Sequence, residues 1–189
     1  MNELEQSISS YFDIHQELTE KLAQLFVVEQ LERHAFHTQL GTRQGKLSFV
    51  RSGYLRIYKQ TDKKEVTQWI SSPGEFTTDL NSILFNLPAR WNIQALTACE
   101  LYTLDAKAYE RISEEIPEWP VIEKLFMGKC FMAIEDRVFS FLSLTAEERY
   151  LLLHETKRDL FKHIPMHYLA SMLGMTPETF SRVRKKIVS

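Results

Sequence analysis

The sequence has few cysteines, few glycines and almost no net charge, and each shortage removes a class of function. Two cysteines, Cys99 and Cys130, in 189 residues make no disulfide framework. They also fall short of the roughly four thiolates that hold an iron–sulfur cluster. Six glycines are scattered singly along the chain, so none builds a phosphate-cradling loop. No run of about 18 apolar residues occurs, so no membrane partner or membrane-spanning helix is expected. The start, MNELEQSISS, lacks a basic segment followed by an apolar one, so no secretion signal is expected and a cytoplasmic location is the default. There is no nucleophile elbow, no HExxH and no motif-placed carboxylate pair, so no enzyme is expected and no catalytic residue is assigned. His34 and His37 are three apart, and on a strand they point to opposite faces. They are read as surface histidines, and no metal site is expected.

Hydrophobic residues make up 44% of the chain, which fits a globular protein. The net charge of −2 argues against nucleic acid until its distribution is considered. Residues 145–189 hold eight Lys and Arg against five Asp and Glu, while residues 1–144 hold fifteen against twenty. Arg182, Arg184, Lys185 and Lys186 crowd the end. An acidic body with a basic tip suits a protein that presents one end to phosphate.

That tip, Met166 to Ser189, reads as two short helices joined by a tight turn. Pro165 suits a helix start. Leu169 and Leu173 share a face, with the small Ala170 beside them. Gly174 ends the first helix, where a positive φ is often needed. Thr176 offers a capping hydroxyl and Pro177 a first-turn residue for the second helix. Stepping about 100° per residue puts Phe180, Val183 and Ile187 on one side. Pro177, Glu178, Ser181, Arg182 and Lys185 fall on the other. A face of hydroxyls, a carboxylate and cations suits a helix lying in a major groove.

Upstream, Ile14, Leu18, Leu22, Leu25 and Phe26 predict helix over residues 3–26. From Val27 to about Thr103 the period changes. KLSFVRSG, YLRIYKQTDKK, EVTQWISSPG and NIQALTACELYTL read as half-buried strands, with a hairpin turn at Thr61–Lys64. Many short strands predict a barrel or jelly roll. Asp105 caps a short helix to Glu115. A long helix follows from Trp119 to Ser143. Val121, Leu125, Gly128, Met132, Glu135, Phe139 and Leu142 keep four-three spacing, the seam of a paired helix. Ile122, Phe126, Phe131, Ile134 and Phe141 suit packing on the roll. Thr145 and Glu148 form a capping box for a helix from Ala146. His154, His163 and His167 lie near the junction and are read as solvated or capping. Cys130 is read as a buried, inert thiol.

The Ala170–Gly174–Phe180–Val183 spacing resembles the bacterial helix-turn-helix. Glu178, Thr179 and Arg182 resemble the E-T-x-x-R recognition helix of the CRP/FNR family of transcription regulators. With the strands before it, the likeness spans nearly the whole chain. The resemblance implies an α+β protein: a cyclic-nucleotide-binding-like roll over residues 1–117, a dimerisation helix over 118–143 and a helix-turn-helix domain over 144–189. It implies double-stranded DNA, a second copy of the chain and RNA polymerase as partners. Glu178, Thr179, Ser181, Arg182, Lys185 and Lys186 are the expected DNA-binding residues. Val121, Leu125, Gly128, Met132, Phe139 and Leu142 are the expected dimer contacts. In this family a Gly-Glu turn and an Arg-Ser or Arg-Thr pair near a short helix hold cyclic nucleotide, with the helix N-terminus and Arg on the phosphate. Gly74 and Glu75 match the first part. Ala89 stands where Arg is expected and Arg90 where a hydroxyl is expected, followed by Trp91. In the loop from Gly74 to Pro88, Asp79 would repel a phosphate. No Ser or Thr occurs from Trp119 to Phe139 to meet a base. Gly74, Glu75, Arg90 and Trp91 therefore mark a degenerate effector pocket: another small molecule or none is expected, and no cofactor is assigned.

Two departures affect the expected reading of DNA. No β-wing is expected after the helix, so Arg184, Lys185 and Lys186 are expected to supply phosphate contacts. Pro177 also stands where a second base-reading Arg is frequent. The competing expectation is a ligand-sensing or adaptor module whose terminal helices dock a protein partner.

Overall fold

The structure, a computed structural model, describes residues 3–188. The chain opens with α1 (Glu3–Phe12) and α2 (Gln16–Gln24). The single helix expected over 3–26 is broken because Asp13 takes a left-handed φ of 54°. Two stripes result: Leu4, Ile8 and Phe12 on α1, and Leu18 and Leu22 on α2, all buried.

Eight strands follow: β1 (Val27–Leu31), β2 (Phe36–Thr38), β3 (Lys46–Ser52), β4 (Leu55–Gln60), β5 (Glu65–Ser71), β6 (Phe76–Thr78), β7 (Asn92–Ala95) and β8 (Cys99–Asp105). They form two antiparallel sheets ordered β1-β8-β3-β6 and β2-β7-β4-β5, facing each other as a roll. The predicted hairpin turn joins β4 to β5, where Thr61 N–H donates to the Lys64 carbonyl at 2.9 Å. β3 is not half-buried as expected. Leu47, Ser48, Phe49 and Val50 are all buried. The first sheet turns Val50 and Leu101 toward the other sheet and turns Leu47, Phe49 and Leu104 toward the helices. A strand covered on both sides loses its apolar–polar alternation.

Between β6 and β7 lies α3 (Leu80–Phe85), in a stretch read from sequence as loop. Two helices, α4 (Ala106–Glu115) and α5 (Trp119–Ser143), follow β8, with Asp105 capping α4 through Ala108 N–H at 2.8 Å. On α5, Trp119, Ile122 and Phe126 are buried against α1, α2 and the roll. Phe131 and Ile134, expected to join them, are 62% and 48% exposed. Past Phe126 these two side chains lie outside the core that α5 shares with α1, α2 and the roll. The remaining helices are α6 (Ala146–Thr156), α7 (Leu160–His163), α8 (Met166–Met172) and α9 (Pro177–Val188). The Thr145–Glu148 capping box forms on α6. No helix among the described residues is long and apolar enough to cross a membrane.

One histidine expectation is corrected. His34 is exposed, in a turn with φ 72°, but His37 is 2% exposed inside the roll. Its ring nitrogens meet Ser48 Oγ at 2.7 Å and Thr38 Oγ1 at 2.9 Å, and Ser48 Oγ in turn meets Thr103 Oγ1 at 2.7 Å. Strand pairing builds this polar row, because Ser48 lies opposite both Thr77 and Thr103. Burial pushes the imidazole from its ordinary 6.5 to about 4. The folded chain therefore resists a proton that the unfolded chain accepts. The associated stability is complete above pH 6.5 and falls as pH drops toward 4, at up to about 1.4 kcal/mol per unit. Nearby Glu29 acts in the same direction: burial raises its carboxyl, but bonds from Lys46 and Thr103 hold it below the usual range. His37→Gln is expected to flatten the loss of urea stability between pH 7 and pH 5. An unchanged pH slope would refute this account.

Candidate nucleic-acid interface and effector pocket

α8, Gly174 and α9 form the tight helical pair that the sequence predicts. Leu169, Ala170, Phe180 and Val183 are buried between them and α6. Pro165 sits one place earlier than expected, as the residue preceding α8 rather than its first turn. Gly174 takes φ +67°, and a Cβ there would come within 2.8 Å of the Phe141 ring on α5. Both the backbone and the close approach demand glycine. Thr176 Oγ1 accepts from Thr179 N–H at 3.2 Å, capping α9.

The opposite face of α9 is open. Pro177, Glu178, Ser181, Arg182 and Lys185 line one shallow depression. Glu178, Arg182 and Lys185 are exposed, while Ser181 is half-buried. Glu178 has its carboxyl held below the usual range by its own backbone N–H and by Thr176, so it stays ionised. Two predicted contacts are partly engaged inside the subunit. Thr179 Oγ1 accepts from Thr176 Oγ1 at 3.2 Å, and Lys186 reaches Glu147 of α6 at 2.8 Å. Arg184 leans on Met166 Sδ at 2.9 Å. The cations facing outward on the depression are Arg182 and Lys185.

The helical pair is docked on the roll, which the sequence did not indicate. α8 lies along β5, an edge strand of its sheet. Thr67 N–H on that edge donates to Ser171 Oγ on α8 at 2.9 Å, giving a donor that would otherwise face outward a partner. Arg56, 2% exposed, is sandwiched between the rings of Tyr58 and Tyr168, 4.1 Å from each. It donates to Thr67 Oγ1 at 2.9 Å and to Glu65 at 2.6 Å. From α5, Arg137 donates to the Met172 carbonyl at 2.6 Å and lies 5.4 Å from the Trp69 ring. His163 stacks on Tyr54 at 5.4 Å and His154 on Tyr150 at 6.2 Å, so both serve packing. No periodicity marks these docking roles of Arg56, Arg137 and Ser171, because Tyr168, Met172 and Thr67, which they meet, are distant in the chain.

Glu75 turns to the C-terminal helices. Its carboxylate lies 2.6 Å from Lys157 Nζ and accepts from Ser72 N–H at 3.0 Å. Lys157 lies 4.3 Å from the Trp69 ring; burial pushes its ammonium down, and Glu75 opposes that shift. Gly74 takes φ +91° with open space around it. Ala89 is buried and brings no charge, and the Arg90 side chain is exposed. Asp79 is the residue that sequence reasoning misplaced. It does not stand in a loop repelling an anion. It is 2% exposed and caps α3. One oxygen accepts from Ser82 N–H at 3.0 Å, and the other accepts from Arg90 N–H at 2.8 Å and Trp91 N–H at 3.0 Å. The cation and hydroxyl that a cyclic phosphate would use are missing, and these donors already hold a carboxylate, so the residues present do not fit the nucleotide. Cys99 is buried, but Cys130 is only partly so; burial raises both thiols.

Residues 28–115 match the family model of the cyclic nucleotide-binding domain. No curated protein matches the chain. Among solved structures it is similar to the c-di-GMP responsive global regulator CLP of Xanthomonas campestris. That match is 19% identical with a TM-score of 0.66, covering 92% of this chain and 91% of that one. It is similar also to FixK2 from Bradyrhizobium japonicum: 18% identical, TM-score 0.68, covering 86% and 84%. A third is the Catabolite Activator Protein of Thermus thermophilus: 19% identical, TM-score 0.60, covering 96% and 86%. The likeness is one of fold: an α+β chain in which a β-sheet cyclic nucleotide-binding domain precedes C-terminal helices.

Proposed function

We propose that the protein is a homodimeric, DNA-binding transcription regulator of the CRP/FNR type. The observation that carries this reading is α9. Its apolar side is buried, while Glu178, Arg182 and Lys185 stand exposed around one depression. In this reading α9 enters a major groove. Arg182 and Glu178 read base edges, and Ser181, Thr179, Lys185 and Lys186 position the helix on backbone or bases. The unpartnered apolar side of α5, including Val121, Leu125, Met132, Phe139 and Leu142, supplies the second subunit, and the two recognition helices then reach half-sites about 34 Å apart. RNA polymerase is the further partner this role implies.

Arg182→Ala is expected to weaken binding to a duplex selected from random sequence by about 1–3 kcal/mol and to relax preference at one position. Equal affinity for parent and variant would refute the role of Arg182. The parent's affinity is expected to fall steeply with salt, by roughly 0.9 in the logarithmic slope per phosphate contacted. The competing reading makes α9 a dock for a partner protein; it predicts no duplex binding at any salt.

A further inference from the structure

We propose that Asp79 is a built-in anion that closes the phosphate-binding nest of this domain, so that the roll takes its working shape without a nucleotide. The inference rests on the family match of residues 28–115 and not on DNA binding.

Backbone N–H groups converging at a helix start make an anion site. Here the nest draws on two separate segments. Ser82 supplies one donor from the first turn of α3, and Arg90 and Trp91 supply two from the strand-entry loop before β7. Both segments are pulled together by the single carboxylate of Asp79, which contributes three charge-assisted bonds in a buried position,. Further bonds close the same loop. Asn81 Nδ2 donates to the Pro88 carbonyl at 2.8 Å, and Leu87 N–H donates to the Asn81 carbonyl at 3.3 Å. A phosphate brought to this place would have to displace Asp79 or sit against it. Either choice leaves a buried charge without donors, which is heavily penalised.

The Gly-Glu turn that resembles the family's is also engaged within the chain. Glu75 of that turn is paired with Lys157 at the end of α6. The roll is thereby tied to the C-terminal helices through a side chain that a ligand would otherwise engage. Asp79 holds the anion position and Lys157 holds Glu75. The chain itself provides the groups that occupy both places.

The test uses the full chain with cAMP and with cGMP at about 1 mM, read by calorimetry and by amide exchange. The expected result is no saturable heat and unchanged protection at Ser82, Arg90 and Trp91. A nucleotide that binds with Kd below about 100 µM and alters exchange at those three amides overturns the proposal. A nucleotide that binds and leaves them unchanged lies elsewhere, with the nest still closed, as proposed. Two variants read the carboxylate directly. Asp79→Ala is expected to speed exchange at all three amides by roughly 10- to 100-fold, as loss of bonds to a buried charge requires. Asp79→Asn keeps an acceptor for Ser82 but turns an NH2 toward Arg90 and Trp91, so only those two amides should lose protection. This second variant also keeps the cap if the first fails to fold. Parent-like protection at Arg90 and Trp91 in the Asn variant would show that the carboxylate does not hold the nest.

Discussion

If the chain pairs through α5 as proposed, replacing Leu125 and Phe139 together by aspartate is expected to leave the single chain folded and to abolish the pair. The two side chains are 50% and 69% exposed in the single chain, so the change costs the subunit little. In the dimer they would face their twins, and four buried carboxylates would each need a partner that is not there. Sedimentation should then give half the parent mass. Affinity for a two-fold duplex should fall by about 100- to 10,000-fold, because one helix at a time must bind without the linked second site. Gly128→Leu is a cleaner companion. A Cβ at Gly128 meets nothing within 4 Å in its own subunit, and leaving glycine favours helix by roughly 0.8 kcal/mol. The variant should raise subunit stability and still weaken association. A double aspartate variant that sediments as the parent does would exclude α5 as the interface. The physical basis is the number of exposed apolar side chains on this one helix, among them Val121, Leu125, Met132, Phe139 and Leu142, which a partner surface would cover.

Phe180→Ala is expected to cost about 3–5 kcal/mol, concentrated in the C-terminal helices. Phe180 is 1% exposed. Its ring meets Tyr150 edge-on at 5.3 Å and lies parallel to Phe161 at 6.2 Å. The core it fills joins Leu153, Leu160, Ile164, Leu169 and Met172 of the C-terminal segment to Ile70 and Leu96 of the roll. A loss of that size is a large fraction of the margin by which an ordinary domain stays folded. Amide exchange should show α6 to α9 open while β3 and β8 keep their protection, and duplex binding should vanish. Phe180→Leu retains much of the volume and should cost markedly less. A Phe180→Ala chain that stays within about 1 kcal/mol of the parent would show that this core is not what holds α9.

The local code was legible wherever neighbours in sequence are neighbours in space. Thr145 and Glu148, Asp105, Thr176, Gly174 and the Thr61–Lys64 turn all act within a few residues. α5 runs from Trp119 to Ser143, as its spacing predicts. The differences share one cause. Ile14 carries the apolar spacing across Asp13, although a left-handed residue there breaks the helix ladder. Nothing near His37 in sequence shows that β3 and β8 bring Ser48 and Thr103 to cover it. The apolarity of Phe131 and Ile134 says that a side chain wants cover, not which body provides it.

From the residues alone follow the change from helix to strands and back to helix, the two sides of α9 and the turn that joins it to α8. These depend on backbone preference and on periods of two and 3.6 residues, which act over short stretches. Only the folded chain decides where Asp79 and Glu75 spend their charges, and that Thr67 offers an edge donor to Ser171. Each of those bonds joins segments from 11 to 104 residues apart. Such a pairing is set by how the sheets and helices come to rest on one another, and no local pattern encodes it.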